Sequence, residues 1–171
     1  FGSLARLIHV APEKLLAVGG VGESVLSALR LMHEVGMRLA REETYSSPVI
    51  SSWSSLIDYC RSSMGHLATE QFRVLYLDAK NMVIDDILQE TGTINQTTVY
   101  PREIIKRALM LDSSAIILVH NHPSGNPKPS MADVEFTKNI EKMAKDLSIS
   151  LHDHVIISPT THFSFRSNSL I

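Results

Sequence analysis

The sequence contains a single cysteine, Cys60, among its 171 residues. An internal disulfide needs two thiols, and zinc sites built on several thiolates need more than one, so both are excluded. Cys60 shares a helical spacing with Leu56, Ile57 and Met64, which predicts a buried core thiol. One cysteine is also typical of a protein from a reducing compartment, and we expect a cytoplasmic protein.

Long hydrophobic runs and an excess of one charge are also missing. No stretch of about 18 apolar residues occurs, and the first residues lack the basic-then-apolar order of a signal peptide, so we expect no membrane partner. Sixteen Lys and Arg residues stand against 18 Asp and Glu residues, a formal charge of −2. Overall charge therefore gives no reason to expect a dedicated nucleic-acid binder.

The composition instead predicts a folded protein with one small unit and one larger unit. A hydrophobic fraction of 44% supplies enough apolar side chains for a sizeable core. Serine and proline residues form a polar hinge near residues 44–52. We predict a helical module over residues 1–43, a linker and leading helix over 44–64, and the larger unit over 65–171.

Strand-like and helix-like segments are interleaved in the larger unit. Residues 72–77 and 115–119 are rich in apolar β-formers, and the second of these runs predicts a buried strand. Residues 101–111 and 130–147 carry apolar side chains at helical spacing. The larger unit is therefore predicted to be α/β or α+β.

A candidate metal site follows the buried strand. The strand ends in His120-Asn121-His122, and the next helix begins with Ser130-x-x-Asp133. Residues two apart on a strand point the same way, so His120 and His122 can present their imidazoles to one point. Two imidazoles and one carboxylate suit zinc and leave its fourth position for water. Alternatively, Ser130 and Asp133 have nearly the spacing of a capping box and only start the helix.

This pattern resembles the metal motif of the JAMM (MPN-type) metalloproteases. The longer string His-Asn-His-Pro-Ser-Gly-Asn-Pro-Lys-Pro-Ser at residues 120–130 resembles the bacterial RadC branch of that family. Pro101-Arg102-Glu103-Ile104, Asp153-His154 and Ser164-Phe165-Arg166 agree with that branch. The resemblance covers about residues 65–171 and implies a mixed sheet flanked by helices. It does not extend to the HNH nucleases, whose named residues are spread along a ββα unit.

The resemblance implies a role for each residue of the motif. His120, His122 and Asp133 match the ligands of one Zn²⁺ ion per chain, and Ser130 matches the serine that stabilises an oxyanion. The general base of the family is a glutamate that lies just before a strand, and Glu70 is the best positional match. Glu103 is the runner-up, although an acid in the first turn of a helix already stabilises the helix dipole.

Two further pairs of readings stay open. Asp153 and His154 either orient a metal ligand or cap a strand. The amino-terminal segment resembles the helix-hairpin-helix module that precedes this domain in RadC proteins. Its Gly20-Val21-Gly22 is followed by the acidic Glu23. A DNA-binding hairpin needs a basic residue at this place to contact the phosphate. A structural or protein-contact role is therefore favoured over DNA binding.

These observations predict a zinc-dependent hydrolase of the metallopeptidase or isopeptidase type, acting on a peptide or isopeptide substrate. The alternative is a DNA-associated or scaffolding protein of the RadC type, linked to DNA repair or recombination and without turnover. Hydrolysis of another kind of bond is a third reading, because an activated water does not specify its target. A homo-oligomer is compatible with the sequence.

Overall fold

The computed structural model describes residues 1–49, 51–91 and 99–171. Residue 50, which falls in the expected linker, lies outside them. The helices are α1 (Leu4–His9), α2 (Pro12–Leu16), α3 (Glu23–Ser46), α4 (Trp53–Met64), α5 (Pro101–Met110) and α6 (Met131–Asp146). The strands are β1 (Gln71–Leu77), β2 (Val83–Thr91), β3 (Ala115–Asn121), β4 (Ser150–Ile157) and β5 (His162–Ser164).

The strands form one mixed sheet in the order β2-β1-β3-β4-β5. β1 is antiparallel to both β2 and β3, β3 and β4 are parallel, and β5 is antiparallel to β4. The parallel pair is joined through α6, as parallel strands require a crossover. The predicted α/β (α+β) class, with a mixed sheet flanked by helices, is confirmed.

The central strand β3 is buried along its whole length and separates two apolar cores. Because side chains alternate across a strand, Ile117 and Val119 face α4, while Ile116 and Leu118 face α5 and α6. Cys60 lies in the α4 core with 3% of its surface exposed, which confirms the predicted buried thiol.

The amino-terminal helices α1 and α2 contact α3, which continues without a break to Ser46. The expected boundary between residues 43 and 44 therefore falls inside a helix, and the chain leaves that helix at Ser47. Gly20 has a φ of 83° in the segment between α2 and α3, a left-handed conformation that favours glycine. The helix-hairpin-helix assignment stays a prediction. Within the described residues, no helix has the length and apolar character needed to cross a bilayer.

Candidate metal centre

The two histidines of the motif lie where β3 ends and α6 begins. His120 is the sixth residue of β3 and is 1% exposed, and His122 follows the strand directly. Phe72 is paired with His120 in the β1–β3 register, and the two rings stack with centroids 5.8 Å apart. The carboxyl end of a parallel strand beside a helix amino terminus is where α/β proteins commonly place their sites.

The hydrogen bonds of His122 fix the position of its proton. Its Nδ1 lies 2.9 Å from the carbonyl oxygen of Asn126, which can only accept. Nδ1 therefore carries the hydrogen in the neutral ring, and Nε2 keeps its lone pair. This lone pair points toward His120, since the two Nε2 atoms lie 3.0 Å apart.

The proton of His120 is fixed through a chain of buried side chains. The Thr137 hydroxyl donates to the carbonyl oxygen of Asp133, so Thr137 accepts from Nδ1 of His154 at 2.6 Å. His154 then accepts at Nε2 from Nδ1 of His120 at 2.8 Å. His120, like His122, is left with its lone pair on Nε2.

The Nε2 atoms of the two imidazoles thus face each other 3.0 Å apart. Two nitrogen ligands at ~2.0–2.1 Å from a tetrahedral zinc ion lie ~3.3 Å apart, so the spacing suits a shared cation. Burial lowers the pKa of His120 and of His154, which keeps both rings neutral. A neutral imidazole is the form that binds metal.

Two carboxylates complete the cluster. Asp133 places its Oδ1 3.5 Å from Nε2 of His120 and its Oδ2 3.8 Å from Nε2 of His122. Glu70, His120 and His122 each offer a ligand atom within 4.8 Å of the others. Burial raises the pKa of Glu70, the charge of Asp133 adds to the rise, and His122 opposes it.

Ser130 and Asp133 form the predicted capping box. The capping box is compatible with a metal-ligand role for Asp133. The Ser130 hydroxyl accepts from the backbone N–H of Asp133 at 3.1 Å, and Oδ2 of Asp133 accepts from the backbone N–H of Ser130 at 2.7 Å. The same Oδ2 also accepts from the Ser130 hydroxyl at 2.6 Å. The cap thereby holds the Asp133 carboxylate beside the two imidazoles.

Asn121 lies between the two histidines and points to the opposite face of β3. Its side-chain oxygen accepts from the backbone N–H of Gln71 at 2.8 Å, and its side-chain amide donates to the carbonyl oxygen of Thr69 at 3.1 Å. These bonds bracket Glu70 on both sides. The end of β3 therefore positions two imidazoles and also the backbone on either side of Glu70.

Glu103 and Asp153, two further candidates from the sequence, form contacts other than those with the two histidines of the motif. Glu103 lies in the first turn of α5, half exposed, and pairs with Arg102 at 3.3 Å and Lys106 at 4.0 Å. Asp153 accepts from the Ser164 hydroxyl and from the backbone N–H of Arg166, which ties β4 to the end of the chain. Of the pair Asp153-His154, it is His154 that contacts a candidate ligand.

Three contributors were not anticipated from the sequence: Phe72, Asn121 and Thr137. Thr137 carries the clearest local signal, because it lies four residues after Asp133 and therefore on the same face of α6. Asn121 could have been placed on the opposite face of β3 by strand alternation. The pairing of Phe72 with His120 depends on the β1–β3 register, for which the sequence gives no local signal.

The chain is similar to known proteins over its whole length. The family model of the RadC-like JAB domain matches residues 50–170. A UPF0758 protein of Rhodobacter capsulatus is 48% identical over 171 residues, which cover all of this chain and 80% of the relative. A UPF0758 protein of Ruegeria pomeroyi is 46% identical over 171 residues, which cover all of this chain and 76% of that relative.

Proposed function

The chain belongs to the family of RadC-like JAB domains, and we propose that it is a zinc-dependent hydrolase of peptide or isopeptide bonds. In this proposal His120, His122 and Asp133 hold one Zn²⁺ ion. Glu70 is the general base, and Ser130 stabilises the oxyanion.

The observation that carries the proposal is the pair of Nε2 lone pairs that face each other 3.0 Å apart. In each neutral ring the proton on Nδ1 is held by another acceptor, which leaves Nε2 available to bind a cation. Two lone pairs at this distance repel each other unless a proton or a metal cation lies between them. Oδ1 of Asp133 lies 3.5 Å from Nε2 of His120. Its negative charge would offset part of the charge of a divalent ion bound there.

The chemistry assigned to each residue follows from its position. When bound, the zinc ion supplies a Lewis acid that makes water nucleophilic at neutral pH. Glu70 takes a proton from the attacking water and delivers it to the leaving amine. A carboxylate suits both steps, because it accepts a proton as the anion and donates one as the acid. The Ser130 hydroxyl donates to the oxyanion after it leaves Oδ2 of Asp133.

The test is an unbiased cleavage screen on a peptide library together with metal analysis of each variant. Glu70→Gln is expected to abolish cleavage and retain zinc, because an amide cannot accept the proton. Asp133→Ala is expected to lose both. Glu103→Gln is the matched control, since it removes an equivalent carboxylate outside the cluster, and it is expected to behave as wild type.

Two outcomes would overturn parts of this proposal. If Glu70→Gln loses zinc while Asp133→Ala keeps it, the roles of the two carboxylates are exchanged. If zinc-loaded wild type cleaves no peptide or isopeptide substrate, the proposed bond class is wrong even though the metal site stands.

DNA binding gains little support from the amino-terminal helices. Gly22 is the N-cap of α3, and Glu23 lies in the first turn of that helix. The first turn is where a phosphate would interact with the helix dipole. A carboxylate at that place repels a phosphate. The proposal therefore concerns hydrolysis alone.

A further inference from the structure

A second group of histidines lies among the amino-terminal helices. His9 is the last residue of α1, His33 lies in α3, and His66 follows α4. The ring centroid of His9 is 4.9 Å from that of His33 and 5.3 Å from that of His66. The three rings line a cleft of about 490 Å³ together with Asp58 and Arg61.

His9 has one nitrogen satisfied and one without a partner. Its Nδ1 donates to the carbonyl oxygen of Ala5 at 2.8 Å, so in the neutral ring Nε2 carries the lone pair. This Nε2 is buried and has no hydrogen-bond partner among the described residues. A buried polar atom without a partner is costly, and a histidine whose Nδ1 is held by a carbonyl is the usual form of a metal ligand.

The other two imidazoles are arranged to join it. Burial lowers the pKa of His33 and of His66, and the neighbouring His9 lowers both further. Both rings are therefore neutral at pH 7 and keep a lone pair. The ring separations around His9 are similar to the 4.8 Å between His120 and His122.

We propose that His9, His33 and His66 form a second metal site, which takes a divalent late first-row ion such as Zn²⁺. Imidazole ligands favour zinc, copper and nickel over magnesium and calcium. Binding requires His33 and His66 to turn their partly exposed rings toward His9. The ion would link α1, α3 and the segment after α4.

This site is expected to be weaker than the one at His120 and His122. Asp58 is a carboxylate that lines the cleft, but it is ion-paired with Arg61 at 3.0 Å. The positive charge of Arg6 also acts on His66. Two guanidinium groups near the ion oppose its binding, whereas the other site has Asp133 and Glu70 beside it.

The test is titration of the full chain with Zn²⁺ by calorimetry, and with Co²⁺ by visible absorption, in a His122→Ala background that disables the other site. His9→Ala, His33→Gln and His66→Gln are added singly. Each is expected to lower the zinc affinity by about tenfold or more and to remove the absorption of tetrahedral Co²⁺. His162→Ala removes an exposed histidine of β5 and serves as the control, with an unchanged affinity expected.

His33 and His66 are partly exposed, so their variants keep the test valid if His9→Ala fails to fold. The proposal is overturned if the His122→Ala protein binds no zinc at millimolar concentration. It is also overturned if His33→Gln and His66→Gln bind zinc as the parent does, or if His162→Ala weakens binding equally. None of these results bears on the hydrolase proposal, which concerns the other site.

Discussion

Asn121 holds the backbone on both sides of Glu70 through its side-chain amide, with hydrogen bonds of 2.8 Å to Gln71 and 3.1 Å to Thr69. Asn121 is fully buried and also separates the two histidines of the strand end. The position of the proposed general base is therefore tied to the same three residues that present the imidazoles. Any shift of β1 against β3 would move the Glu70 carboxylate relative to the two imidazoles.

We expect Asn121→Ala to retain zinc but to lower kcat by about 100-fold, because a displacement of the base by ~1 Å costs that much. The measurement is kcat and KM on a substrate from the library screen, with zinc content determined on the same sample. Asn121→Asp keeps the acceptor for Gln71 and loses the donor to Thr69, so a smaller loss is expected. An unchanged kcat in Asn121→Ala would show that Asn121 does not position Glu70.

Thr137 is expected to control metal affinity without touching the metal. Thr137→Val removes the hydroxyl that accepts from His154, so His154 and then His120 lose their fixed tautomers. Loss of such a supporting contact typically lowers metal affinity 10- to 100-fold. Thr137→Ser keeps the hydroxyl and serves as the matched control. Competition with a chromogenic chelator measures both variants, and equal affinities would contradict the relay.

Ser130 has two separable duties, the helix cap and the proposed oxyanion contact. Ser130→Ala is expected to destabilise the protein by about 1 kcal/mol through loss of the cap. It should also lower kcat by about 100-fold if the hydroxyl stabilises the transition state. Thermal unfolding and steady-state kinetics separate the two effects, and Ser130→Thr should restore most of both. A change in stability alone would leave Ser130 with the cap only.

The single thiol provides a check on the core beneath α4. Cys60 is buried, and burial raises the pKa of its thiol well above the usual range. We expect no reaction of the native protein with Ellman's reagent over an hour and one reactive thiol per chain in denaturant. Rapid reaction of the native protein would show that α4 opens readily from the sheet.

Much of the fold follows from local patterns. The apolar run of β3, the proline that starts α5 and the apolar face of α6 each predict an element that the structure contains. Cap chemistry placed the start of α6 correctly, since Ser130 is its N-cap. Such signals depend only on neighbours along the chain, and for this reason the sequence reveals them.

The supporting contacts of the site could not be obtained in this way. His154 meets His120 because β4 pairs in parallel with β3, and Asn121 meets Gln71 because β1 begins beside the end of β3. The group formed by His9, His33 and His66 depends on the packing of three separate segments. These relationships are set by tertiary pairing, which leaves no spacing in the sequence to recognise.

The central claim is that His120 and His122 hold a divalent metal ion, and zinc content per chain tests it most directly. The protein is purified without chelator or metal-affinity tag, dialysed to remove weakly held ions, and analysed by plasma mass spectrometry beside His122→Ala and the control His162→Ala. We predict about one zinc per chain in wild type and in His162→Ala, and almost none in His122→Ala. A wild-type protein that stays zinc-free after incubation with zinc, or a protein carrying both His122→Ala and His33→Gln that still retains a full equivalent, would contradict the account.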